Sequence, residues 1–319
     1  MSVKNTPRLA REAAIPDPKW PGLLDRVRTA KYKGERIEWS AYLFVLPFVL
    51  LTFLFVVLPA LSGIFVSFTD WTMLGTPHWV GLANFARLGD DPDIPMVLGN
   101  TFRYGAMVIP TTVVVALGLA LFVNRRLPGY GLARTSFFLP YVLSVTVISI
   151  IWVWLLDTRY GIVNLALARL GIPNIPWLTT RQWVMTSIGL TSVWSTAGFF
   201  MVILLGGLQD IPEELYDAAR VDGARGWQEF WFVTLPLLRP VLSWVLTMQT
   251  IGALREFNRM YIMTRGGPAG SSSSIMYLLW TNSFQRYNMG YGSAIAILLF
   301  GVVLLLTIMQ RRLFPETAY

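Results

Sequence analysis

The 319-residue chain contains no cysteine, one histidine and four lysines, and only 14% of its residues are charged. Each scarcity removes a class of chemistry. Without cysteine there is no disulfide framework, no thiol nucleophile and no sulfur-ligated metal site. The single histidine, His78, excludes paired-histidine metal sites and stands beside Trp79 in a polar loop, where it reads as a solvated residue. All four lysines (Lys4, Lys19, Lys31 and Lys33) precede the first long apolar run, and none follows a glycine-rich phosphate loop. The chain reads as non-catalytic, with no metal or cofactor of its own.

Hydrophobic residues, by contrast, make up 54% of the chain. Soluble domains carry roughly a quarter charged residues, so this composition points to lipid as solvent. Runs near twenty apolar residues give six candidate spans, at 41–66, 104–123, 136–156, 183–208, 241–264 and 291–310. Pro47, Pro59, Pro110 and Pro140 fall in or at the ends of these runs, which bilayer helices tolerate. The expected fold class is an all-α membrane protein of six transmembrane helices. No inverted repeat relates the first three spans to the last three, which disfavours the usual secondary-transporter plan.

The net charge of +8 is concentrated beside the spans, so it predicts membrane orientation rather than nucleic-acid binding. Nine Lys and Arg residues precede the first span, Arg125, Arg126 and Arg134 follow the second, and Arg311 and Arg312 follow the last. The 70–101 loop instead holds Arg87 among Asp70, Asp90, Asp91 and Asp93, which places both termini in the cytoplasm. The long charged N-terminus does not resemble a cleavable signal. The organisation expected is a basic cytoplasmic arm (1–40), a six-helix membrane domain (41–313) and a tail (314–319). Residues 20–39 suit either a basic amphipathic helix on the inner leaflet or a disordered arm.

The most informative loop is 209–240, QDIPEELYDAARVDGARGWQEFWFVTLPLLRP. Pro212 suits a first helical turn, and Glu213, Glu214 and Asp217 place acids in the positive half of that helix. Ala218 and Ala219 leave a low-relief face, and Gly223 permits a turn that a side chain resists. A second helix is expected from Arg225 to about Val233, with Trp227, Phe230 and Trp231 on an apolar face. Thirty-odd residues of patterned helix is long for a connector, so the loop predicts docking of a cytoplasmic partner.

Within it, Asp217-Ala218-Ala219-Arg220-Val221-Asp222-Gly223-Ala224 followed by Leu235-Pro236 resembles the EAA motif of ABC-importer permeases, with Asp217 where the family usually has Glu. Several other stretches are similar to carbohydrate-uptake permeases of the maltose and glycerol-3-phosphate type. They are Ser67-Phe68-Thr69-Asp70-Trp71, Val80-Gly81-Leu82-Ala83-Asn84-Phe85, Asn100-Thr101, Thr264-Arg265-Gly266-Gly267-Pro268 and Met289-Gly290-Tyr291-Gly292-Ser293-Ala294. The resemblance implies the type I importer permease fold, with a five-helix core and a first helix reaching across a partner permease. It makes the Asp217 helix a coupling helix, with Glu214, Asp217, Ala218, Ala219, Asp222 and Gly223 as its contact set. The implied partners are a second, different permease, two copies of a nucleotide-binding subunit holding ATP and Mg, and a periplasmic or lipid-anchored solute-binding protein.

Polar residues inside spans are costly and belong on a pathway or a helix interface. Gln249, Gly252, Ala253 and Glu256 fall at i, i+3, i+4 and i+7 of the fifth span, and Ser192, Ser195, Thr196 and Phe199 form a stripe on the fourth. In maltose-type relatives these two helices carry sugar contacts. Helix glue by the hydroxyls, and pairing of Glu256 with Arg255 or Arg259, remain open alternatives. The competing classes are a secondary transporter or channel, which leaves the 209–240 loop without a task, and a membrane scaffold, which leaves the polar stripes unexplained.

Overall fold

The computed structural model describes residues 39–124 and 129–313. Most of the basic arm, Arg125, Arg126 and the 314–319 tail lie outside the described residues. Among the described residues the regular structure is helical, apart from isolated bridges between Thr69 and Trp79 and between Thr72 and Asn288. Among these residues, four helices are long and apolar enough to cross a membrane: α1 (Tyr42–Ser67), α3 (Asp93–Val123), α7 (Val184–Gln209) and α13 (Met289–Leu313). Two bent pairs bring the number of spans to as many as six. Short helices α2 (Ala83–Asp90) and α6 (Ile162–Arg169) lie in connections that sequence periodicity did not single out.

Packing divides the chain between Pro59 and Ala60. On the N-terminal side, α1 carries one wide turn at Phe53–Val57, just before Pro59. A proline lacks the N–H that would close the bond four residues back, and the freed carbonyl lets the helix open. The same offset recurs in α9 (Gly226–Leu237), where the wide turn Phe230–Thr234 precedes Pro236.

In the larger unit, α3 and α7 pack together along much of their length. Their contact stripe on α3 is Tyr104, Val108, Thr112, Ala116 and Ala120, all fully buried and each four residues from the next. Two thirds of the apolar stretch of α7 is buried, against 28% for α3 and 22% for α13, so α7 is the central helix. Gly198 makes that position possible: a Cβ there would overlap the Phe137 carbonyl of α4 (Tyr130–Val142). At the Asp93 end of α3, Ile94 and Val97 meet Leu254, Ile275, Tyr291 and Ile295, while at the other end Ala116, Ala120 and Val123 meet Met201, Leu204 and Leu238.

Two expected spans are not continuous helices. The 136–156 run bends by 97° between α4 and α5 (Val145–Leu155). Pro140 weakens the last turn of α4, Leu143 is extended, and α5 restarts after Ser144. The 241–264 run ends as α10 (Arg239–Leu254), unwinds through Arg255, Glu256 and Phe257, and resumes as α11 (Asn258–Thr264). Here the Glu256 carboxylate accepts the Arg259 backbone N–H at 3.2 Å, so a side chain caps the new helix where a backbone carbonyl would have continued the old one. The second span starts at Asp93 rather than 104, the Asp93 N–H met by the Asp91 carboxylate at 2.9 Å. A further helix, α12 (Ile275–Trp280), starts where the Ser274 hydroxyl accepts the Tyr277 N–H.

Candidate functional site

The 209–240 loop folds as two helices. Pro212 stands immediately before α8 (Glu213–Val221), in extended conformation, rather than inside its first turn. Glu213 and Glu214 occupy that first turn and Arg220 the last, matching the helix dipole at both ends. The helix stops in a two-bond turn: the Gly223 N–H reaches the Arg220 carbonyl at 3.0 Å and the Ala224 N–H reaches the Ala219 carbonyl at 2.9 Å. Gly223 has φ +86° with open space around a would-be Cβ, so the turn demands glycine for its backbone angle and not for room.

Glu214, Asp217, Ala218, Val221 and Asp222 recur at i, i+3, i+4, i+7 and i+8, forming one exposed face of α8. Val221, which sequence reasoning passed over, is 88% exposed at its tip. Ala219 does not join this face. It is half-buried on the inward side with Tyr216, whose hydroxyl shares a 3.1 Å hydrogen bond with Thr234. Arg220 ties α8 to α9, bonding Asp217 at 3.1 Å and Glu229 at 3.2 Å. Glu229, then Asp217, hold the guanidinium further above its already high ordinary value. The second helix runs beyond Val233 to Leu237, and its aromatic side chains are largely uncovered: Trp227 and Phe232 are 71% and 77% exposed.

The polar residues of the spans gather differently from the stripe that helical spacing implies. Glu256 does not share a helix face with Gln249, because the helix ends at Leu254. Gln249 is buried and donates to Thr112 of α3 at 3.1 Å, Ala253 is buried in the core, and Gly252 is exposed with open space beside it. Glu256 pairs with Arg259, one of the two partners left open for it, and the two side chains are 10% and 6% exposed. Arg259 also donates to the Ser195 hydroxyl at 2.7 Å, and Ser195 in turn donates to the Ser192 carbonyl. Thr196 bonds the same carbonyl, and Phe199 stacks on Tyr141 at 4.3 Å between ring centres. Ser274 donates to the Glu256 carbonyl at 2.9 Å, fastening the unwound segment to the start of α12. Tyr104 is fully buried nearby, close enough to Glu256 and Arg259 to feel both charges. Tyr104 escaped sequence reasoning, and Arg259 entered it only as one of two possible partners of Glu256.

These features define a multi-pass membrane protein with a charged helix presented outward at one end and a buried polar cluster within the helices. Residues 109–319 match the family described as "Binding-protein-dependent transport system inner membrane component". The chain is 33% identical to the sulfoquinovosyl glycerol transport system permease protein of Agrobacterium fabrum, covering 93% of this chain and 94% of that one. It is 34% identical to the trehalose/maltose transport system permease protein of Thermococcus litoralis, covering 89% and 96%. Its fold is similar to a chain of a bacterial ABC transporter that imports the acidic polysaccharide alginate, with TM-score 0.76, 21% identity, and coverage of 88% and 96%.

The chain belongs to the binding-protein-dependent transport system inner membrane components. It is therefore the non-catalytic, multi-pass permease component of a transport system driven by ATP in separate subunits.

Proposed function

We propose that this chain is one of two different permease subunits of an importer for a sugar, an oligosaccharide, or a sugar or glycerol phosphate, working by alternating access. The substrates named for the Agrobacterium and Thermococcus relatives support the saccharide class. ATP and Mg bind in two copies of a nucleotide-binding subunit, and a periplasmic or lipid-anchored solute-binding protein delivers the solute. Residues 41–313 form the permease domain, flanked by the 1–40 arm and the 314–319 tail, with both termini cytoplasmic by the distribution of Lys and Arg.

The observation that carries this reading is the outward face of α8. An exposed helix bearing Glu214, Asp217, Ala218 and Asp222, braced from behind by Tyr216 and Arg220, is a rigid surface for an ATPase subunit to grip. Ala219 supports the helix from its inner side, and Gly223 fixes where it ends. The translocation path runs past Ser192, Ser195, Thr196 and Phe199 of α7 and past Gln249, Gly252, Ala253 and Glu256. In the state described, Gly252, Thr196 and Phe199 retain accessible surface, whereas Ser195, Gln249 and Glu256 are engaged inside the protein.

Substitution at Gly223 tests the coupling. Gly223→Val, branched at a left-handed position, should cut uptake at least tenfold and abolish substrate-stimulated ATP hydrolysis while the complex still assembles. Gly223→Asn, which tolerates that conformation, should keep most of both. Wild-type uptake and stimulation in the valine variant would remove α8 from the coupling path.

A further inference from the structure

The exposed aromatic edge of α9 has no covering group among the described residues, yet it belongs to the best-braced part of the loop. Trp227 and Trp231, one turn apart, pack edge to face with ring centres 5.5 Å apart, and Phe232 follows on the outer surface. The inward side of the same helix does different work: Glu229 holds Arg220, Thr234 holds Tyr216, and Leu238 just beyond it is fully buried against the ends of α3 and α7. Whatever meets Trp227, Trp231 and Phe232 therefore sets the position of α8 through two direct bonds.

Three observations identify what meets them. First, only Leu238 separates α9 from α10, and the two helices are bent by 68°. If α10 runs near the membrane normal, α9 lies closer to the membrane plane than to that normal. Second, α10 by itself supplies most of a crossing. Its 16 residues rise about 24 Å, against a hydrocarbon thickness of about 30 Å, which leaves α9 little depth to span. Third, the two helices divide the chemistry of the loop. The outward face of α8 is rich in carboxylates, as suits water or a protein partner, whereas the outward edge of α9 is two indoles and a phenyl ring. Indole and phenyl side chains on a surface-lying helix favour the boundary between headgroups and acyl chains.

We infer that Trp227, Trp231 and Phe232 seat α9 in the headgroup–acyl boundary of the leaflet from which the loop projects, so that the bilayer itself fixes the height of α8 above the membrane. The partner is lipid, and the seat is independent of whether α8 docks an ATPase subunit.

The cysteine-free sequence allows a direct depth measurement. Phe232→Cys, Trp227→Cys and Val221→Cys variants, each spin-labelled in the complex reconstituted into phospholipid nanodiscs, are read by collision with oxygen and with a water-soluble nickel chelate. Trp231→Cys serves if Phe232→Cys does not assemble. Labels at 227 and 232 should collide several-fold more with oxygen than with nickel, whether or not the ATPase subunit is present. The label at 221 without the ATPase subunit should show the reverse. Nickel-accessible labels at 227 and 232 that become shielded when the ATPase subunit is added would assign this edge to a protein partner and overturn the inference. Labels shielded from both reagents throughout would place the edge inside a protein interface and overturn it equally.

Discussion

Among the described residues, two arginine–carboxylate clusters are built from the same groups and set in opposite surroundings. Arg259 and Glu256 are almost wholly buried where α10 breaks, with Ser195 accepting from the Arg259 guanidinium and Ser274 donating to the Glu256 backbone carbonyl. Arg220 lies between Asp217 and Glu229 on the loop, with its side chain 54% exposed. A surface pair exchanges one set of hydrogen bonds for others in water and contributes little to stability. A buried pair contributes little as a pair too, but removing one partner strands a charge where nothing can solvate it. The first cluster therefore fixes the fold of the membrane core, and the second fixes only the relation of one surface helix to the next.

The largest effect that would break this comparison lies at the buried pair. Arg259→Ala should destabilise the assembled complex by about 3–5 kcal/mol, seen as a large fall in its thermal unfolding midpoint. The double variant Arg259→Met with Glu256→Gln should recover much of that loss, because neither charge is then left alone. A single variant as stable as wild type would mean that water reaches the site and that the two clusters do not differ in kind. The smallest effect lies at the surface. Arg220→Ala should leave the unfolding midpoint within error while lowering the transport rate, since it frees α8 from α9 without uncovering any core. A fall in stability as large as that at Arg259 would make the loop part of the core.

The same contrast explains how much could be read from the sequence. Apolar runs near twenty residues gave the spans α1, α7 and α13 closely, because length and composition alone decide whether a helix can lie in lipid. The stop at Gly223 was legible too, although the reason is its φ of +86° and not crowding. What periodicity could not give is where a continuous apolar pattern stops being a continuous helix. The apolar text runs unbroken through Leu143 and Ser144, and helical arithmetic carried Glu256 onto the face of Gln249 across a break. That break is held by contacts with Ser195, 64 residues from the Arg259 side chain that it binds, and with Ser274, 18 residues from the Glu256 backbone carbonyl that it binds. The low-relief face expected of Ala218 and Ala219 likewise divided, since Tyr216 draws Ala219 inward by its bond to Thr234 on the next helix.

If α8 is the surface that an ATPase subunit covers, the exposed tip at Val221 reads this directly. Val221→Cys is the only thiol in its variant, so maleimide modification reports that one position. Modification should be fast in complexes lacking the ATPase subunit and slowed at least tenfold when that subunit is bound. Arg286→Cys, exposed on the stretch between α12 and α13 that leads into the Asp91-bonded end of α13, should react at the same rate in both. Equal rates at position 221 with and without the ATPase subunit would contradict the account.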